Sequence, residues 1–174
     1  MTQPIPTFKC VIVGNGGVGK TTLVTKHLTG EFVQVYEPTL GVEVHPIVFN
    51  TTKGPIRFNI WDTAGQEKFS GLQDGYYVQA DCAIVMFDLT GVLSYRDSKM
   101  WYDSVRNKCG NIPIIIVGSK VDIKDRKVMN NDIEFDREHD MYYDISSKSN
   151  YQFEKPFIEL IKKLMSDDTI RLVD

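Results

Sequence analysis

Residues 14 to 21 of this chain read Gly14-Asn15-Gly16-Gly17-Val18-Gly19-Lys20-Thr21, directly after the apolar run Phe8 to Val13. A buried strand feeding a glycine-rich loop that ends in Lys-Thr is the layout of a phosphate-binding loop, which only α/β folds of a particular kind accommodate. Glycine reaches backbone angles that a Cβ makes costly, so successive N–H groups can curl around an anion. Lys20 can then reach the β- and γ-phosphates, and Thr21 can offer its hydroxyl to Mg²⁺. A helix beginning there points its positive end at the phosphates.

The remaining strands follow from apolar patterning. Val42 to Phe49 and Ile56 to Trp61 alternate on either side of Thr51 to Gly54, as an antiparallel hairpin would. Pro46 has no N–H for a ladder, which favours a sheet edge for the first of them. Cys82 to Phe87 and Ile112 to Val117 are continuous apolar runs suited to central parallel strands, and Tyr142 to Ile145 supplies one more. Helices are expected over 20–29, with Leu23, Val24, His27 and Leu28 on one face and Gly30 as a stop. Two more are expected over 94–107 and 153–165, the last with Phe157, Leu160, Ile161 and Leu164 toward the core. The pattern predicts an α/β fold, a mostly parallel six-stranded sheet with one antiparallel edge strand and helices on both faces, in one domain over 1–174. Tyr76, Tyr77 and Trp101 read as packing residues.

Composition narrows the function classes. At 174 residues and 42% hydrophobic, the chain can bury one core. A net charge of −3 and the absence of a basic stretch argue against DNA or RNA as a partner. Cys10, Cys82 and Cys109 are scattered and odd in number, which points to a reducing compartment and away from a disulfide frame or zinc site. His27, His45 and His139 share no ligand spacing. No run approaches the ~18 apolar residues of a membrane span. The N-terminus lacks a signal-peptide pattern, and no C-terminal cysteine offers a prenyl site, so no membrane anchor is expected. A monomer is expected as well.

A phosphate loop leaves kinases, ATPases and GTPases open. The second signal is Trp61-Asp62-Thr63-Ala64-Gly65-Gln66, where the second hairpin strand should end on the same rim as the loop. Asp62 can hold Mg²⁺ through a water, Gly65 can bring its N–H to a γ-phosphate, and Gln66 can orient a water for in-line attack. Between the two motifs lies Glu37-Pro38-Thr39-Leu40-Gly41, in which Thr39 is a candidate second hydroxyl for Mg²⁺. Two loops that a γ-phosphate orders, and that relax when it leaves, make a two-state switch.

With these residues the chain resembles the small GTPases of the Ras superfamily, and is more similar to the Ran branch, the nuclear-transport GTPases. The similarity covers nearly the whole chain. Its segments are Thr29 to Phe32, Leu40 to Pro46, Trp61 to Phe69, Asp74 to Tyr77, Val121 to Val128 and Tyr142 to Ser146. The resemblance implies that Gly14 to Thr22 hold the phosphates of GTP or GDP, that Phe32 packs against guanine, and that Glu37 belongs to the nucleotide-binding set. It places Thr21, Thr39 and Asp62 at Mg²⁺, and makes Lys20 and Gln66 the catalytic groups, with Tyr36 steering the glutamine. Asp122 would accept from guanine N1 and N2, and a site built for those donors rejects bases that lack them. Lys120 would lie across the base, while Ser146, Ser147 and Lys148 resemble the loop that contacts guanine O6. Also implied are slow intrinsic hydrolysis, a GTPase-activating protein, an exchange factor, importin- and exportin-type receptors, Ran-binding proteins, and residence in nucleus and cytoplasm.

Three departures qualify the resemblance. The family's Asn-Lys-x-Asp is Ser119-Lys120-Val121-Asp122 here, and the shorter serine is expected to weaken nucleotide retention while keeping guanine choice. Asn130 to Asp140 carries five acids, Asp132, Glu134, Asp136, Glu138 and Asp140, against Arg137, where Ran resembles a basic protein; the segment Glu31 to Tyr36 also lacks Ran's paired lysines. Charge complementarity to Ran's receptors would be partly lost. The C-terminal switch segment and acidic tail of the Ran branch are absent after the final helix. Ser119 and the acids also suit a second reading, a weakly nucleotide-retaining binding module or decoy, although Gln66 and Thr39 oppose it. A third reading, a P-loop kinase, lacks an arginine-rich lid.

Overall fold

A computed structural model describes residues 3–29, 42–63, 73–135 and 141–173. The readings made for Phe32, Tyr36, Glu37, Thr39, Gly65, Gln66, His139 and the acids at 136–140 lie outside these residues. In chain order the elements are β1 (Thr7–Val13), α1 (Lys20–Thr29), β2 (Val42–Thr51), β3 (Gly54–Thr63), α2 (Gln73–Tyr77), β4 (Cys82–Asp88), α3 (Val92–Cys109), β5 (Ile114–Ser119), β6 (Met141–Asp144) and α4 (Lys155–Met165). The six strands lie in the order β2-β3-β1-β4-β5-β6. Every neighbouring pair is parallel except β2 with β3, where Val42 faces Thr63 and Thr51 faces Gly54. The expected sheet, with its single antiparallel edge strand, is therefore present, and Pro46 lies on that edge opposite Asn59.

The apolar runs divide by alternation. Cys10 and Ile12 of β1 and Ile84 and Met86 of β4 face one core, with Leu23 and Val24 of α1 and Phe157, Leu160 and Ile161 of α4. Val11, Val13, Val85 and Phe87 face the other, with Tyr76 and Tyr77 of α2 and Tyr95, Trp101 and Val105 of α3. Side chains along a strand point alternately to opposite faces, so an unbroken apolar strand can serve two layers. Leu28 is a correction: predicted on the inner face of α1, it is 44% exposed. The inner stripe of α1 runs through Leu23, Val24 and His27, and the next residue turns about 100° away from His27 to the rim.

Ile170 to Val173 return to the hairpin, where the Val173 N–H donates to Asn50 O at 2.9 Å and the Thr52 N–H donates to Arg171 O at 2.9 Å. Among the described residues no helix is long and apolar enough to cross a membrane. Cys10 and Cys82 are buried and unpaired, as small core residues.

Candidate functional site

Four loops converge beyond the carboxyl ends of the strands. Gly14 leaves β1 so close to β4 that a Cβ would collide with the Met86 carbonyl oxygen, which restricts the position to glycine. Gly17 and Gly19 have φ of +82° and +104°, angles that bend the loop back into the first turn of α1. The Lys20 ammonium is buried and donates to Gly14 O, closing the loop on itself. Gly16 and Gly17 stay exposed at its mouth.

Asp62 ends β3 beside this loop. Its Oδ2 accepts from the Thr21 hydroxyl at 2.6 Å, while its Oδ1 is buried with no hydrogen-bond partner among the described residues. Burial raises the Asp62 carboxyl above the ordinary carboxylate range, and the Thr21 hydrogen bond and the Lys20 charge pull it partly back. An orphaned buried carboxylate oxygen is costly unless something completes it. A hydroxyl and a carboxylate side by side are hard oxygen donors that suit Mg²⁺, so Thr21 and Asp62 fit the expected metal pair.

Ser119 ends β5, and its Oγ lies 2.6 Å from Val18 O of the phosphate loop and 3.0 Å from Phe87 O. The short side chain therefore still braces the loop, and the loop carbonyl is satisfied. The contact to the loop expected of the family's asparagine is thus made here by the serine hydroxyl. Lys120, at φ +65°, donates to Gly17 O at 2.9 Å and pairs with Asp88 at 2.7 Å. Asp88 in turn accepts from Thr90 N at 2.7 Å and from Thr90 Oγ1 at 2.6 Å, so the lysine rests on a fixed carboxylate.

Exposed Asp122 accepts from the buried Ser146 hydroxyl at 2.7 Å, and Ser146 Oγ accepts from Ser149 N at 3.0 Å. Ile145 N–H donates to Gly118 O at 2.8 Å, and Val121 N–H to Ile145 O at 3.1 Å, which lashes the loops after β5 and β6 together. Ser147 O accepts from the buried ammonium of Lys26, whose charge also lies over the Phe153 ring. Lys148 is exposed.

The structure thus brings Gly14 to Thr21, Asp62, Ser119 to Asp122 and Ser146 to Lys148 onto one rim. Sequence reasoning missed four supporting side chains: Asp88, Lys26, Asp97 and Trp101. Asn15 Nδ2 donates to Asp97 Oδ2 at 2.8 Å, and the Trp101 indole N–H donates to Asn15 Oδ1 at 2.9 Å. Trp101 is therefore more than a packing residue, and nothing in the local sequence of α3 signals that role. His27 is structural as expected, stacked on Phe153 with ring centroids 3.8 Å apart, and His45 meets Glu43 at 3.0 Å. Within the acidic stretch, Asp132 Oδ2 accepts from Met129 N at 3.0 Å and Glu134 lies 3.4 Å from Lys99.

The profile of the Ras family matches residues 9–166, a span that holds the phosphate loop, Asp62, Ser119 to Asp122 and Ser146 to Lys148. With that match over nearly the whole sheet, and with the phosphate loop, the Thr21–Asp62 oxygen pair and the Asp122 carboxylate on one rim, the chain belongs to the Ras family of small GTPase switches.

Proposed function

We propose that this chain is a GTP-hydrolysing switch of the Ran type, acting in nucleocytoplasmic transport through receptors that distinguish its GTP and GDP states. The chemical part of this reading is carried by Asp62 Oδ1, buried without a hydrogen-bond partner among the described residues and beside the Thr21 hydroxyl, an arrangement that suits a divalent cation next to a phosphate loop. The transport part rests on sequence, above all Leu40 to Pro46 and Trp61 to Phe69.

Loop N–H groups and Lys20 would hold the phosphates and stabilise charge that gathers on the phosphoryl oxygens. Thr21, Thr39 and, through a water, Asp62 would hold Mg²⁺, which would supply positive charge against the phosphate oxygens. Gln66 would orient the attacking water, with Tyr36 steering its side chain. The water oxygen bonds to the γ-phosphorus as the bond to the β-bridging oxygen breaks, giving GDP and phosphate. Asp122, held by Ser146, would select guanine, with Lys120 and Phe32 against the base and Lys148 beside it. An activating protein, an exchange factor, transport receptors and Ran-binding proteins would be its partners, in nucleus and cytoplasm.

Chromatography of the nucleotide released from purified protein, followed by single-turnover GTP hydrolysis with and without an activating protein, tests this. Guanine nucleotide and activator-stimulated turnover that Gln66→Leu abolishes are expected. The alternative, a binding module with little cycling, rests on the sequence, on Ser119 and the acidic stretch, and is weakened by the contact of Ser119 with Val18 O; it would show weak nucleotide retention with turnover that an activator leaves unchanged.

A further inference from the structure

We propose that Asp97 and Trp101 of α3 are positioning residues for nucleotide, acting through Asn15 to hold the phosphate loop in its binding shape before nucleotide arrives. The inference rests on the phosphate-binding reading of that loop. From Gly14 to Gly17 the loop is glycine except at position 15, so Asn15 carries the only side chain of that stretch, and its other holds, from Lys20 and Lys120, act on the backbone carbonyls of Gly14 and Gly17. Glycine loses more conformational freedom on ordering than any other residue, so an ungripped loop would have to be ordered by the nucleotide itself.

The grip is chemically specific. An indole N–H can only donate and a carboxylate can only accept, and the amide of Asn15 offers one group to each. Turning the amide over would set its NH₂ against the indole N–H and its oxygen against the carboxylate. An aspartate at 15 would satisfy Trp101 and repel Asp97, and an apolar residue would strand both. The anchor is rigid: Trp101 is 1% exposed in the second core, and α3 runs unbroken for 18 residues. Both contacts reach across more than 80 residues of sequence, 82 to Asp97 and 86 to Trp101, so they fix the loop against a separate element rather than against its own neighbours.

The test uses the full chain and two readouts: GDP and GMP affinities with GDP dissociation rates, and amide hydrogen exchange of Gly16 to Gly19 without nucleotide. Trp101→Phe keeps the ring and removes the donor, and Asp97→Ala removes the acceptor. Each should speed GDP dissociation by about tenfold and raise loop exchange by a similar factor. GMP, which lacks the β-phosphate that the loop holds, should lose less affinity than GDP. Asn15→Asp should be worse than either, and the double variant Asn15→Asp with Asp97→Asn should return to within about twofold of the parent, because the amide and the carboxylate have changed places. Unchanged exchange and dissociation in both single variants, equal losses for GDP and GMP, or no recovery in the exchanged pair would each overturn the proposal. A parent chain that binds neither nucleotide would instead overturn the functional reading, while loop exchange would still decide whether α3 orders the loop.

Discussion

The two ends of α1 are built on opposite principles. Its first turn is polar and reaches outward: Lys20 caps Gly14 O and Thr21 holds Asp62, so its geometry serves something brought from outside. Its last turn is polar in sequence but lodges one ring in an apolar pocket: His27 sits among Phe49, Phe153 and Phe157, with ring centroids 5.5, 3.8 and 4.6 Å away. One helix ten residues long therefore separates binding from stability along its length. Lys26 crosses that division, since it stands in the last turn and supports the base-side loop through Ser147.

The largest effect belongs to the last turn. Burial lowers the His27 pKa from 6.5 to about 4, outweighing its contact with Phe153 O, so the folded state holds the ring neutral. The unfolded chain takes up a proton at higher pH than the native one. The stabilising contribution is therefore complete above pH 6.5 and drains away as pH falls toward 4. Urea unfolding at pH 7 and pH 4.5 should show the parent losing about 2.4 kcal/mol more than His27→Phe. Parallel losses in the two proteins would break the assignment of the last turn to stability.

Next is Lys20→Met in the first turn, where GDP affinity should fall by about 2 kcal/mol, the scale of a charged hydrogen bond, in a fluorescent-nucleotide titration. Stability should hold or rise, because a buried charge has been removed. A drop in the unfolding midpoint would show that the two ends are less separate than the contacts imply. Lys26→Met comes third: loss of support at Ser147 should cost about 1 kcal/mol of GDP affinity. Guanosine should lose as much as GDP if the effect lies at the base, and a loss confined to GDP would move it to the phosphates.

The smallest effect is expected at Ser119. Because its hydroxyl already meets Val18 O, Ser119→Asn should slow GDP dissociation only about threefold. A slowing of about a hundredfold would mean that the serine is a poor substitute for the family's asparagine after all.

The sheet was legible because its strands are apolar runs that must be covered on two faces, and strand boundaries moved by only a few residues: β5 begins at Ile114 rather than Ile112. The five-residue α2 escaped because Gln73 to Tyr77 is too short to show a helical period. At the site, the phosphate loop and Asp62 were legible from local motifs whose chemistry dictates their spacing. Asp88 under Lys120, and Asp97 and Trp101 against Asn15, were not, because each contact joins segments that only the folded sheet brings together. Ser119 was read as a lost support because its chemistry was compared with a longer amide, whereas the backbone of β5 carries it close enough to reach Val18.

The central place of β1 has a consequence for the order in which the molecule can assemble. Hairpin β2-β3 closes through the two residues Thr52 and Lys53, and such local pairing forms within microseconds. β1, by contrast, must find partners 50 and 72 residues downstream, Cys10 beside Ile60 and Cys10 beside Cys82, and distant pairings of this kind form late. The glycine loop hangs from the end of β1, and Gly14 has no Met86 carbonyl to pack against until β4 is in place. Competence to capture a phosphate therefore arrives only with the closing of the sheet's centre. Nucleotide uptake during refolding would clock that last step rather than the collapse before it.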